Sequence, residues 1–114
     1  MSGLDIRAPW TPLDREHATR VEAALGVYEL RRQGTTVLID YAGATSPFGL
    51  RGALLDAIGH AEPGTEFRAE VVSTYLSRWA ELMSWYRTRH GSFPNGNGTH
   101  TPNIGQIGSR GAHT

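Results

Sequence analysis

The sequence predicts a small α+β domain, and three observations support this prediction. Two segments rich in β-branched and apolar residues flank Gln33-Gly34, a combination typical of a β-hairpin. Charged and apolar residues alternate over residues 66–73, as in a half-buried strand. Apolar residues repeat at helical spacing before, between and after these strands. The expected fold is therefore a small three-stranded antiparallel sheet, a β-hairpin plus a third strand, flanked by helices.

The first helix and the hairpin follow from local cues. Asp14 and Glu16 stand at the start of a stretch with apolar residues at helical spacing, where the helix dipole favours acids. Gly26 ends that stretch. The sequence thus predicts a helix over residues 13–25 and hairpin strands over residues 27–32 and 35–41.

The second half of the chain predicts two more helices around the third strand. Leu50, Leu54 and Ile58 repeat at helical spacing, and Pro63-Gly64 marks a turn before the strand. The clearest apolar stripe lies in residues 75–89, where large apolar residues fall on one side of a helix. The predicted elements are a helix over 48–60, the strand over 66–73 and a helix over 75–89.

Length and composition predict one domain with two short extensions. The chain has 114 residues, which suits a single hydrophobic core. Large apolar residues become rare after residue 90, where Gly and Asn are frequent. We therefore expect an N-terminal extension over 1–12, a single domain over 13–90 and a Gly/Asn-rich tail over 91–114.

The charged residues exclude several classes of function. All 11 basic side chains are Arg, so Schiff-base chemistry and a Walker-type phosphate loop are excluded. The chain has no Cys, which excludes disulfides and thiolate zinc sites. The 11 acids balance the 11 Arg, which argues against a strongly basic nucleic-acid or membrane-surface protein. No secretory pattern or long apolar run is present, so we expect a cytoplasmic protein without membrane contact.

One tripeptide at the start of the hairpin suggests a family. Gly26-Val27-Tyr28 leads the first strand, and a second strand, a small-residue loop and a helix with an early Arg51 follow. Over residues 26–97 the chain resembles the GIY-YIG nuclease superfamily. Its second tripeptide is degraded and has two registers: Leu38-Ile39-Asp40 without a gap, or Tyr41-Ala42-Gly43 after a longer connection.

The resemblance implies a metal-dependent nuclease site. It implies that Tyr28, Tyr41 in the second register and Arg51 lie near the scissile phosphate. It further implies that Glu81 holds Mg²⁺ or Mn²⁺. The resemblance also implies a closing Asn, for which Asn95 and Asn97 compete. In such chemistry, a fixed cation and a metal ion stabilise the negative charge on the phosphoryl oxygens. A Tyr hydroxyl orients or deprotonates the attacking water.

Each of these residues also has a structural interpretation. Tyr28 on a strand fits ordinary sheet packing. Arg51 shares a helix face with apolar residues, so its stem could line the core while its head reaches solvent. Glu81 lies roughly opposite the apolar stripe of its helix, as a solvated acid would.

Further candidates are less specific. His60 is either a general base or a helix-terminal surface group. Glu70 is a second carboxylate for a metal, and Trp85, off the main stripe, is the best candidate for an exposed contact. Asp40 takes the place of a Gly in the gap-free register, where it would repel phosphate or bind metal. His90, His100 and His113 are too dispersed for a metal site and are interpreted as incidental.

Two functions are compatible with these patterns. The first is metal-dependent hydrolysis of a phosphodiester in nucleic acid, with weak binding expected because residues 26–65 carry a net charge of −1. The alternative is a catalytically inactive GIY-YIG-like binding or assembly module that contacts a protein partner. A phage or mobile-element origin is suggested only by analogy.

Overall fold

The structure, a computed structural model, describes residues 4–102 and contains four strands and three helices within that range. All strand pairs are antiparallel, and the sheet order is first, fourth, second, third. The predicted α+β class is therefore confirmed. The elements are β1 (Thr11–Pro12), α1 (Arg15–Ala18), β2 (Gly26–Arg32), β3 (Thr35–Ala42), α2 (Gly49–Ile58), β4 (Thr65–Val71), α3 (Tyr75–His90) and a 3₁₀ turn (Asn95–Asn97).

A two-residue turn joins β2 to β3. Gln33 and Gly34 both have positive φ, 53° and 78°, as the mirror-image turns of hairpins require. The pairing places Tyr28 opposite Asp40 and Val27 opposite Tyr41. Because side chains alternate along a strand, these two pairs lie on opposite faces of the sheet.

α3 covers one face of the sheet, here called the α3 face. Its stripe of Trp79, Leu82, Met83 and Tyr86 is buried. This stripe packs against Val27 and Ile39 of the central and edge strands and against Ile6 of the N-terminal segment. Met83 is completely inaccessible to solvent, so the centre of this face is closed.

α2 and α1 cover the opposite face, here called the α2 face. Leu50 and Leu54 of α2 are fully buried there. They pack with Tyr28 and Leu30 of β2 and with Phe67 of β4. The sheet therefore separates two apolar clusters, one under each long helix.

The prediction of three strands is wrong because β1 adds a fourth. Thr11 pairs with Phe67 and Pro12 with Glu66, at the outer edge of β4. Two residues give no alternating pattern, and Pro12 argues against a strand although edge strands tolerate Pro. β1 therefore has no sequence signature of its own.

The predicted helix over residues 13–25 is also too long, since α1 ends at Ala18. The backbone beyond it bonds to α2 instead of continuing the helix. The Val21 carbonyl accepts a hydrogen bond from Arg51 Nε at 2.8 Å, and the Ala24 carbonyl accepts one from the Leu50 amide at 2.9 Å. These tertiary bonds replace the helical ones that the spacing favours.

The segment after α3 closes the outer edge of β3. Asn97 lies there with 4% of its surface exposed. Its Oδ1 accepts a hydrogen bond from the Ile39 amide at 3.0 Å, and its Nδ2 donates to the Ile39 carbonyl at 2.8 Å. One side-chain amide thus occupies the place of a neighbouring strand. Residues 103–114 of the predicted tail, His113 included, lie outside the described residues.

Within residues 4–102, no helix has both the length and the apolar character needed to cross a bilayer.

Candidate functional site

The sheet separates the residues predicted to form a nuclease site. Tyr28 and α2, which carries Arg51, lie on the α2 face, whereas α3, which carries Glu81, covers the other face. Tyr41 also lies on the α3 face, against Trp79. The structure therefore does not bring Tyr28, Arg51 and Glu81 together around one point.

Tyr28 is almost completely buried. Only 6% of its surface is exposed, and its hydroxyl donates a long hydrogen bond of 3.5 Å to Asp40 Oδ2. Burial, and then the negative charge of Asp40, raise the pKa of the Tyr28 hydroxyl well above its ordinary value. The phenol therefore stays protonated at neutral pH and acts as a hydrogen-bond donor rather than as a base.

Arg51 forms a hydrogen bond with the backbone. Its guanidinium Nε donates to the Val21 carbonyl, and its side chain is half-buried between α1 and α2. This bond anchors the irregular segment that follows α1. The cation is thereby held at the side of α2 rather than directed at a shared site with Glu81.

Glu81 and Glu70 both bind Arg78. Glu81 forms a short ion pair with this Arg, and Glu70 accepts from its Nε at 2.8 Å. The same guanidinium donates to the Leu4 carbonyl at 2.9 Å. The hydrogen bond that Arg78 donates to Glu70 is the main cause that raises the pKa of Arg78. Both carboxylates thus help to fasten the N-terminal segment to α3 and β4.

His100 was interpreted from the sequence as incidental, but the structure gives it defined contacts. Its Nε2 lies 2.8 Å from Asp40 Oδ1, and its ring stacks on Trp79 with centroids 4.7 Å apart. Tyr41 completes this aromatic cluster, 5.0 Å from Trp79. No local pattern around His100 could have revealed these contacts, because Asp40 is 60 residues away in the chain.

The remaining candidates differ in their surroundings. Asn95 is exposed, whereas Asn97 is buried against β3. Trp85 is half-buried beneath Arg89, whose guanidinium carbon lies 5.1 Å from the ring centroid. Its indole Nε1 is buried and has no hydrogen-bond partner among the described residues. His60 is exposed just beyond the end of α2.

Carboxylate and imidazole groups do not cluster in the part of the chain that the structure describes. Within residues 4–102, no group of three or more His, Asp or Glu side chains is arranged to hold a metal ion. Asp40 and Glu70, the further metal candidates, instead bind His100 and Arg78.

An open concavity follows α2. A cavity of about 430 Å³ lies between the second half of α2 and the hairpin, and its walls are mainly apolar. A second cavity, of about 670 Å³, lies at the first half of α2 beside Pro47 and Phe48. Both are lined by Tyr28, Ala53 and Asp56, so together they form one trough, here called the α2 groove.

Phe48 borders the α2 groove in an unusual conformation. It is 74% exposed, and its φ of 60° is in the left-handed region, which costs a non-Gly residue about 1 kcal/mol. Gly49 follows with φ 53°, and a Cβ there would collide with the Ala24 backbone. The loop before α2 is thus tightly held while it presents an aromatic ring to solvent.

A protein-family model matches most of the residues that form this fold. The model of a domain of unknown function, DUF7508, matches residues 4–89. The chain belongs to the DUF7508 family. The matched part of the chain contains the N-terminal segment, the whole sheet and the α2 groove except Gly96, whereas Asn97 and His100 lie beyond it.

No curated protein and no solved structure matches the DUF7508 domain described here. Nothing in these comparisons links it to the GIY-YIG superfamily, so that resemblance stays a prediction.

Proposed function

We propose that this DUF7508 protein is a non-catalytic binding module that holds a segment of a partner protein in the α2 groove. The observation that supports it most is the groove itself, an open and mainly apolar trough bordered by the exposed Phe48. Exposed apolar concavities mark binding sites more often than inert surface.

Phe48 has the properties of a binding anchor. Aromatic side chains dominate the energetics of many protein interfaces because they bury a large apolar area when they dock. The tightly held backbone fixes the position from which the side chain projects, so little backbone entropy is lost on binding. Strained residues that persist in a tightly held loop are frequently functional.

The shape of the groove favours a protein segment over a compact small molecule. The two cavities run along α2, whose 10 residues span about 15 Å. An extended segment of about five residues covers that length. A partner segment therefore fills the whole groove, whereas a small molecule fills one end.

The nuclease function implied by the resemblance stays a second proposal, and this geometry supports it less well. Arg51 is bonded to the Val21 carbonyl, and Glu81 is paired with Arg78 on the other side of the sheet. The buried Tyr28 hydroxyl points to the Asp40 carboxylate, which would repel a phosphate. Transition-state charge would thus lack the converging cation and metal that phosphodiester hydrolysis needs.

A peptide-display experiment tests the binding function. Random peptides of about 12 residues displayed on phage are selected on the folded protein, and the selected peptides are measured by fluorescence anisotropy. We expect Phe48→Ser to weaken binding at least about tenfold, because it removes the anchor. Leu76→Ser is the matched control, since Leu76 is an exposed apolar residue (53%) on α3. Equal affinities for the Phe48 variant and the wild type would contradict the proposal.

A cleavage assay distinguishes the two functions. We expect no nicking of plasmid DNA with Mg²⁺ or Mn²⁺ by the wild type. Nicking that disappears in Arg51→Ala and in Glu81→Gln would overturn the binding proposal in favour of the nuclease. Nicking of equal rate in all three proteins would identify a contaminant.

A further inference from the structure

The middle of the α2 groove differs in chemistry from its two ends. Leu30, Val37 and Leu38 line one end, and Phe48 and Leu55 line the other. Tyr28 and Asp56 line both cavities and so mark the polar centre of the groove. Each end offers apolar side chains, with Arg32, His60 and Glu62 also lining the first end and Thr45 and Ser46 the second.

The polar centre is acidic. Asp40 lies behind Tyr28, with its Oδ2 3.5 Å from the phenol oxygen, and the negative charges of both Asp40 and Asp56 act on that phenol. The phenol is neutral, so it does not offset either carboxylate. Its oxygen lone pairs can still accept a hydrogen bond from a cation placed in the groove.

Of the two acids that act on the phenol, Asp56 forms no ion pair among the described residues. All eleven Asp and Glu residues lie within 4–102; six of them pair with Arg there, and Asp14 and Asp40 lie beside His17 and His100. The three others in this range are Glu22, Asp56 and Glu62, and the last two line the groove. Two of the three acids without an ion pair therefore lie in the α2 groove, together with its exposed apolar surface.

Two basic residues, Arg32 and His60, line the groove together with these acids. Arg32 lines the groove, but its Nε donates to the Pro63 carbonyl at 3.1 Å. Arg51, on the same helix as Asp56, donates to the Val21 carbonyl. Asp40 pairs with His100, which lies outside the groove lining. With Arg32 counted and His taken as neutral, the lining of the groove still carries a net charge of −1 from Asp56 and Glu62, so a positively charged occupant is favoured.

We propose that the α2 groove selects a partner segment with an Arg or Lys between two apolar side chains, the cation facing Asp56 and Tyr28 and the apolar side chains occupying the two ends. This inference rests on the proposed binding function and specifies the partner. A charge-assisted hydrogen bond to a carboxylate is about twice as strong as a neutral one, and the exposed Asp56 is accessible to a cation of the partner. Phosphates and acidic peptides are disfavoured by the same charges.

A double-mutant cycle tests the charge at the centre of the groove. A display-selected peptide with a central Arg is compared with the same peptide containing citrulline, which keeps the shape and loses the charge. Both are titrated against the wild type and Asp56→Asn by fluorescence anisotropy. We expect the wild type to bind the Arg peptide about tenfold more tightly than the citrulline peptide. We expect Asp56→Asn to remove most of that difference, with no effect on the citrulline peptide.

Glu22→Gln is the matched control, because Glu22 is an exposed acid that no ion pair includes among residues 4–102 and that does not line the groove. It should leave the affinities of both peptides unchanged. Circular dichroism of each variant checks that the fold is retained.

The outcomes separate this inference from the function on which it rests. Peptides that depend on Phe48 but contain no basic residue, or a cycle with no coupling between Asp56 and Arg, overturn the inference and leave the binding function standing. Selection that yields no peptide dependent on Phe48 overturns both.

Discussion

On the α3 face, the stripe of α3 is covered by strands and by the N-terminal segment, and the carboxylates beside it are paired with Arg. On the α2 face, Leu50 and Leu54 are equally buried, but the outer flank of α2 borders a groove with unpaired acids and an exposed Phe. The two faces of the sheet therefore have different roles. The closed face contributes stability without an evident surface for a ligand, and the open face keeps apolar area available for binding.

The largest effect that tests this comparison is a truncation on each face. Met83→Ala removes a completely buried side chain from the closed face and should lower the free energy of unfolding by about 3 kcal/mol. Leu55→Ala removes a half-buried side chain from the groove wall and should cost about 1 kcal/mol. Urea unfolding followed by circular dichroism measures both. Equal losses would mean that the two faces do not differ in packing.

A second test concerns the outer edge of β3, which Asn97 covers. Asn97→Ala removes both hydrogen bonds to Ile39. The Ile39 carbonyl keeps the bond from Trp79 Nε1, but the Ile39 amide is left without a partner, so the substitution should cost about 2 kcal/mol. Asn95→Ala is a matched control, because Asn95 lies in the same 3₁₀ turn and is exposed. Its midpoint in urea should stay within error of the wild type. A shift as large as that of the Asn97 variant would contradict the assignment.

A third test concerns the buried phenol beneath the open face. The pKa of Tyr28 is raised in the folded protein, so the folded state binds this proton more tightly than the unfolded state. The stability that results is fully present below the ordinary pKa of 10.0 and is lost as the pH rises above it, by up to about 1.4 kcal/mol per pH unit. Tyr28→Phe should therefore lose less stability than the wild type between pH 9 and pH 11. Parallel alkaline profiles would argue against a buried, acid-flanked phenol.

The smallest expected effect is a gain in stability rather than a loss. Phe48→Gly relieves a left-handed residue and should change stability between zero and a gain of about 1 kcal/mol, while peptide binding is lost. Gln33→Gly is the control, because Gln33 has a similar φ in the hairpin turn, away from the groove. It should gain similar stability and keep peptide binding. A large loss of stability in the Phe48 variant would mean that the ring supports the fold.

The local pattern of apolar residues along the chain predicts the large elements. The stripe of α3 and the strands beside Gln33-Gly34 are local in sequence, so periodicity was sufficient to find them. β1 was missed because its two residues are defined only by their partners in β4. The first helix was overextended because the carbonyls of Val21 and Ala24 bond to α2, which no local pattern encodes.

The candidate site was harder to predict than the fold. Tyr28 and Asp40 were both singled out, and the register of the hairpin does place them opposite each other. Their relation to the groove depends on how α2 packs, and the contact of His100 with Asp40 depends on the path of the chain after α3. Such contacts between distant residues follow from tertiary structure, which a single sequence specifies only indirectly.

The side chain that closes the edge of β3 also makes that edge sensitive to chemical ageing. Asn97 precedes Gly98, a sequence in which asparagine readily loses ammonia, and Asn is a thermolabile residue. Deamidation would replace the donor Nδ2 by an oxygen facing the Ile39 carbonyl, so attraction would become repulsion. An uncovered strand edge can pair with other chains. Loss of one nitrogen atom during storage would then convert a closed sheet into a template for aggregation.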